Sequence, residues 1–114
     1  MKWIGSFKNA FRGLNKALQE EPNFRIHLVA LIAVCSFGFY FNIMPWEWCV
    51  IILASALVIS LELVNTAIEN LADLVTREQK PLVGKIKDIS AAAVLVSAMA
   101  AIVLGLIIFT KYLF

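Results

Sequence analysis

Ser60-Leu61-Glu62-Leu63-Val64-Asn65-Thr66-Ala67-Ile68-Glu69-Asn70-Leu71-Ala72-Asp73 is flanked by long apolar runs, yet carries three acids and Asn65 at helical spacing. At about 100° per residue, Glu62, Asn65, Glu69 and Asp73 fall within roughly 80° of one helical face. The stripe they form is about 16 Å long. Leu63, Val64, Ala67, Ile68, Leu71 and Ala72 take the other faces. A carboxylate near the bilayer centre costs about 2.5 kcal/mol or more. A row of them therefore points to a site for a cation, a proton or a charged ligand.

The rest of the chain makes that setting a membrane. Of 114 residues, 61% are hydrophobic and 16% charged, against about 45–50% and 25% in soluble domains. One domain suffices for this length. The net charge of +2 is too small to suggest nucleic acid. Cys35 and Cys49 lack Cys-x-x-Cys spacing and read as small buried hydrophobes. The N-terminus mixes charges with apolar residues and does not resemble a cleaved signal peptide.

Outward from the stripe, the expected architecture is all-α and integral to the membrane. Residues 49–74 form the second span, with the stripe in its last half. Residues 26–44 form the first span, without a formal charge, and residues 89–109 the third; each is long enough for about 30 Å of hydrocarbon. His27, near the start of the first span, reads as a histidine at headgroup level. Trp46 and Trp48 suit an aromatic belt beside the turn marked by Pro45. Residues 76–87 read as a polar loop with Pro81 and Gly84 as breakers. Ser90-Ala91-Ala92-Ala93 allows close helix contact, and Lys111 and Tyr112 anchor the C-terminal end. Residues 1–19 form an amphipathic helix. Trp3, Phe7, Phe11, Leu14 and Leu18 lie along one side, and Lys2, Lys8, Arg12 and Lys16 lie mostly elsewhere, as suits a helix in the headgroup layer. Pro22 ends it and puts Glu21 at a bend where the next helix dipole favours an anion.

Lysines and arginines set the orientation. Five precede the first span, four lie in the second loop, none lies in the first loop, and Lys111 is alone at the C-terminus. The positive-inside rule puts the N-terminus and second loop in the cytoplasm, in a plasma or inner membrane. The lower end of the stripe, Glu21 and the Lys85–Asp88 segment then share one face. Carboxylates suit a hard cation such as Mg²⁺, and lysines suit phosphate oxygens. Together they fit phosphoryl transfer between a soluble nucleotide and a lipid hydroxyl. No Gly-x-x-x-x-Gly-Lys-[Ser/Thr] loop, kinase glycine loop or His-Glu-x-x-His is present.

Glu62-Leu63-Val64-Asn65-Thr66-Ala67-Ile68-Glu69-x-x-x-Asp73, followed by Gly84-x-x-Lys87-Asp88-x-x-Ala91-Ala92-Ala93-Val94, resembles the prokaryotic diacylglycerol kinase family. Glu21-x-Asn23-Phe24-Arg25-Ile26-His27 resembles the branch that includes undecaprenol kinases. The likeness covers nearly the whole chain. It implies a small homotrimeric membrane enzyme that uses ATP and Mg²⁺ to phosphorylate a lipid alcohol, undecaprenol or diacylglycerol. By resemblance, Glu62 is the catalytic base. Glu69 and Glu21 are the metal-binding carboxylates at the nucleotide site, and Asn65, Lys87 and Asp88 lie near the nucleotide phosphates. Asn9 and Gln79-Lys80-Pro81 depart from some relatives, and Asp73 takes no assigned role. Two other readings are a small proton-coupled exporter using Glu62, for which four spans are usual, and a non-enzymatic interaction subunit, which leaves the acidic stripe without a purpose.

Overall fold

A computed structural model describes residues 2–114. Among them it shows four helices: α1 (Lys2–Glu20), α2 (Pro22–Phe41), α3 (Pro45–Val75) and α4 (Pro81–Leu113). Met1, where the expected surface helix begins, lies outside the described residues. The last three helices are long and apolar enough to cross a membrane; α1 is less apolar.

Prolines place the helix starts. Pro22, Pro45 and Pro81 each begin a helix, where the missing N–H has no intrahelical partner to lose and the fixed φ is already helical. As a result each helix starts ahead of its apolar window at 26–44, 49–74 or 89–109; α3 and α4 also run past the window's end, while α2 stops at Phe41, three residues short of the expected 44. The polar loop expected at 76–87 shrinks to Thr76–Lys80, and Gly84 lies inside the first turns of α4 rather than breaking it. Lys87 and Asp88 are thereby carried on a rigid helix.

The α2–α3 turn is tight for a local reason. Asn42 takes the left-handed conformation (φ 52°, ψ 54°). The Ile43 N–H then donates to the Gly38 carbonyl at 3.2 Å and the Asn42 N–H to Phe39 at 3.3 Å, closing the helix end with the pattern that usually employs glycine. Gly38 is needed for a different purpose: a Cβ there would sit 2.6 Å from Cη2 of Trp48, whose ring covers it.

Short turns make α2, α3 and α4 alternate in direction. The main interface is α3 on α4; α2 packs on α3, and α1 chiefly on α2. The result is a slab of 52 × 41 × 20 Å, two helices thick at about 10 Å per helix. Few apolar residues are enclosed. Ile43, Ile51 and Ile108 form a small core near the α2–α3 turn, while Ile32, Leu53, Val96, Ile102 and many others point outward. Lipid is as apolar as leucine, so an outward apolar face carries no penalty in a membrane. The same holds for the cysteines. Both were expected to be buried, but Cys49 is exposed and Cys35 half-buried, facing where hydrocarbon would be.

In α1 the Trp3–Phe7–Phe11 side is uncovered by the rest of the chain, and Ala17 is its buried contact. Arg25 closes its C-terminus. The guanidinium donates to the Leu18 and Gln19 carbonyls at 3.3 and 3.2 Å, which satisfies groups left open at any helix end.

Candidate functional site

The polar stripe of α3 deepens along its length. Glu62 and Asn65 are buried, with Glu62 only 4% exposed, whereas Glu69 and Asp73 are half-buried nearer the α3–α4 turn. The stripe thus leads from the surface to a carboxylate enclosed by apolar side chains.

Its middle is held by a relay across the helix pair. Ser90 Oγ on α4 donates to Asn65 Oδ1 at 2.5 Å, and Asn65 Nδ2 donates to Glu69 Oε1 at 3.2 Å. The carboxylate only accepts, so the amide NH2 faces Glu69 and its carbonyl oxygen takes the serine hydroxyl; one Glu69 oxygen is thereby oriented and the other stays open. At the lower end, Lys87 Nζ donates to Asp73 Oδ1 at 2.6 Å. Both side chains are more than one third exposed, so the pair is worth little as stabilisation; its consequence is that the ammonium is held at a defined place. Beside it, an open depression of about 480 Å³ at the α3–α4 connection is lined by Asp73, Arg77, Lys80 and Lys87, among others.

At the upper end, Glu62 Oε2 lies 3.5 Å from His27 Nε2 on α2. His27, expected at headgroup level, thus faces the deepest acid of the stripe. The reason is helix rotation: Phe24 is buried, and the residue three positions on shares its face.

Glu62, Asn65, Glu69, Asp73 and Lys87 are therefore brought together along α3 and the start of α4. Among the described residues, no side-chain hydrogen bond or ion pair joins Glu21 or Asp88 to them. Glu21 caps α2 without a side-chain hydrogen bond, and Asp88 is exposed. Among the described residues no three His, Cys, Asp or Glu side chains converge as a ready metal cage. Two participants were missed in the sequence: Ser90 looked like one small residue among alanines, and His27 looked peripheral. Asp73 stood in the stripe without a role, and its partner Lys87 comes from across the α3–α4 turn.

Comparison with known proteins shows the family. The sequence model of prokaryotic diacylglycerol kinase matches residues 8–109. An undecaprenol kinase of Bacillus subtilis is 40% identical over 95% of this chain and 88% of its own length. A diacylglycerol kinase of Synechocystis is 38% identical over 88% of this chain and 58% of its own length. One of Haemophilus influenzae is 31% identical over 93% and 91%. None of these similarities supports an exporter.

Proposed function

The chain belongs to the prokaryotic diacylglycerol kinase family and is a membrane lipid kinase; from that premise we propose that it transfers the γ-phosphoryl of ATP to undecaprenol, with Glu62 as the base. The observation that carries the base assignment is a buried carboxylate at the closed end of a polar stripe whose open end holds a lysine. The similarity to a protein named undecaprenol kinase, together with Asn23-Phe24-Arg25-Ile26-His27 and Trp46-Glu47-Trp48, supports undecaprenol over diacylglycerol.

The residues divide the work by depth. Glu62 takes the proton of the lipid hydroxyl. The hydroxyl oxygen then bonds to the γ-phosphorus, the bond from that phosphorus to the β–γ bridging oxygen breaks, and ADP leaves with the electron pair. Lys87 faces the phosphates as a point charge. Asn65, fixed by Ser90, orients Glu69, and Asp88 on the same turn of α4 as Lys87 lies at the nucleotide side.

The donor set fits Mg²⁺, which is commonly bound through one or two carboxylates with water and phosphates completing the shell. Glu69 has one oxygen free of its Asn65 contact, and the Glu21 carboxylate caps nothing. These two would hold the ion, which when bound neutralises charge on the phosphates.

The slab is only 20 Å thick and its long helices present apolar faces outward. That supports a homotrimer with sites completed between subunits. The uncovered aromatic side of α1 supports its lying in the headgroup layer. The lysine and arginine distribution supports a plasma or inner membrane with the N-terminus and α3–α4 turn in the cytoplasm.

The test is turnover by purified protein with ATP, Mg²⁺ and either lipid in one detergent. Higher kcat/KM for undecaprenol is expected, and a clear preference for diacylglycerol overturns the acceptor assignment. Glu62→Gln and Glu69→Ala are expected to abolish most turnover; undiminished rates in either would remove its role.

A further inference from the structure

We propose that His27 is a positioning residue: its Nε2–H holds Glu62 Oε2, leaving Oε1 to receive the proton of the acceptor hydroxyl. The inference rests on the reading of Glu62 as the base.

Glu62 has an unusual problem for a buried acid. It is 4% exposed, yet among the described residues no donor makes a hydrogen bond to its carboxylate, and His27 at 3.5 Å is its ion-pair partner. Burying a carboxylate costs less when a polar partner faces it. The other basic side chains near this face are engaged or outside. Arg25 donates to the carbonyls of Leu18 and Gln19, Lys87 is held by Asp73, and Arg77 and Lys85 are exposed. The imidazole is what remains to serve Glu62.

Its setting suits that duty. His27 borders an open groove of about 350 Å³ between α2, α3 and α4, lined otherwise by apolar residues such as Val34, Val58, Ala98 and Ile102, with Ser55 the exception. The ring therefore lies beside both the carboxylate and an apolar groove. In such surroundings one hydrogen bond orients a carboxylate more firmly than in water. At 3.5 Å the contact is longer than a hydrogen bond, so a small rotation of either side chain completes it. A neutral imidazole has one N–H donor, enough for one oxygen; the second oxygen is left for chemistry.

Full-length protein in detergent tests this with His27→Leu, His27→Gln and His27→Asn. Leucine removes the donor and keeps bulk. Glutamine carries an N–H to a similar reach, and asparagine falls one methylene short. In His27→Leu and His27→Asn, kcat is expected to fall roughly tenfold or more, the scale of losing a residue that orients a functional ligand. KM for ATP is expected to stay within about twofold, since transition-state contacts alone are lost. His27→Gln is expected to recover most of the rate. In a His27→Leu/Glu62→Gln double variant the rate is expected to equal that of Glu62→Gln alone, because both changes disable one unit. Wild-type kcat in His27→Leu, equal losses in the glutamine and asparagine variants, or additive losses in the double variant would each overturn the proposal. The asparagine–glutamine pair decides the question if the leucine variant does not fold. Full activity in Glu62→Gln sinks the base reading itself. An inactive Glu62→Gln beside a fully active His27→Leu sinks only the role of His27.

Discussion

The bundle carries a buried glutamate toward each end, and the two are treated oppositely. Glu47, at the α2–α3 turn, is fully buried; its Oε1 is hydrogen-bonded, and its Oε2 has no hydrogen bond and is met by a cation instead. Its Oε1 accepts the Met44 N–H at 3.0 Å and the Tyr112 hydroxyl, and its Oε2 lies 2.7 Å from Lys111 Nζ. Lys111 in turn sits 5.3 Å over the Trp46 ring and 5.2 Å over that of Tyr112, within cation–π range. Glu62 is nearly as buried but has only His27, beyond hydrogen-bond length. Glu47, with a cation and two hydrogen-bond donors on it, acts as a staple between the start of α3 and the end of α4. Glu62, met by a single imidazole, keeps an oxygen open for chemistry.

The comparison breaks most visibly at Glu62. Replacing it with glutamine is expected to lower kcat by about 10²–10⁴-fold, the contribution of a positioned proton acceptor. The same change should leave the thermal midpoint in detergent unchanged or higher, because a poorly paired buried charge is removed. A variant that lost both activity and folding would mean that Glu62 is structural.

The mirror experiment is Lys111→Met. It strips the buried Glu47 of its cation while the methylene stem is kept. A lower thermal midpoint, by several degrees, is expected, with kcat per folded molecule unchanged. Breaking a buried pair from one side leaves a charge behind, and this end holds no proposed site residue. An unmoved midpoint would show that the Met44 and Tyr112 hydrogen bonds suffice alone.

How much of this was readable follows from what each feature depends on. The acidic stripe depends only on a helical period within α3, so its direction and its division into deep and shallow members were visible in the spacing of Glu62, Asn65, Glu69 and Asp73. The helix starts depended on reading Pro45 and Pro81 as first-turn residues; treating Pro81 and Gly84 as breakers cut α4 short and made Lys87 look like a loop residue. The contacts across helices depend on rotation and depth, which no local pattern carries. Glu47 meets Tyr112 across 65 positions, and Ser90 meets Asn65 across 25. His27 faces Glu62 because burial of Phe24 turns α2, a fact set by packing.

A smaller effect is expected where the open end meets solvent. Asp73→Asn frees Lys87 from the partner that holds it at 2.6 Å. A freed lysine must be ordered again when phosphates bind, so KM for ATP should rise roughly fivefold, the scale of one exposed charge contact. The thermal midpoint should hardly move. A fall in KM would mean that Asp73 competes with the phosphates for Lys87.

The smallest change probes the backbone beneath Glu47. Asn42 holds a left-handed conformation at φ 52°, and its hydrogen bonds set the entry into α3 and so the place of Glu47. Asparagine tolerates this region better than other side chains do, and glycine adopts it freely. Asn42→Gly should therefore be nearly neutral, the relief of strain offsetting the added freedom of the unfolded chain. Asn42→Ala should cost about 1 kcal/mol, the lower range for a non-glycine residue held there. Denaturant titration of the two variants in one detergent measures the difference. If the Glu47 end is a staple alone, both should keep wild-type kcat whatever their stability. A loss of turnover in Asn42→Ala at a temperature where it is fully folded would show instead that the turn passes its geometry down α3 to Glu62, and that the two ends are not independent.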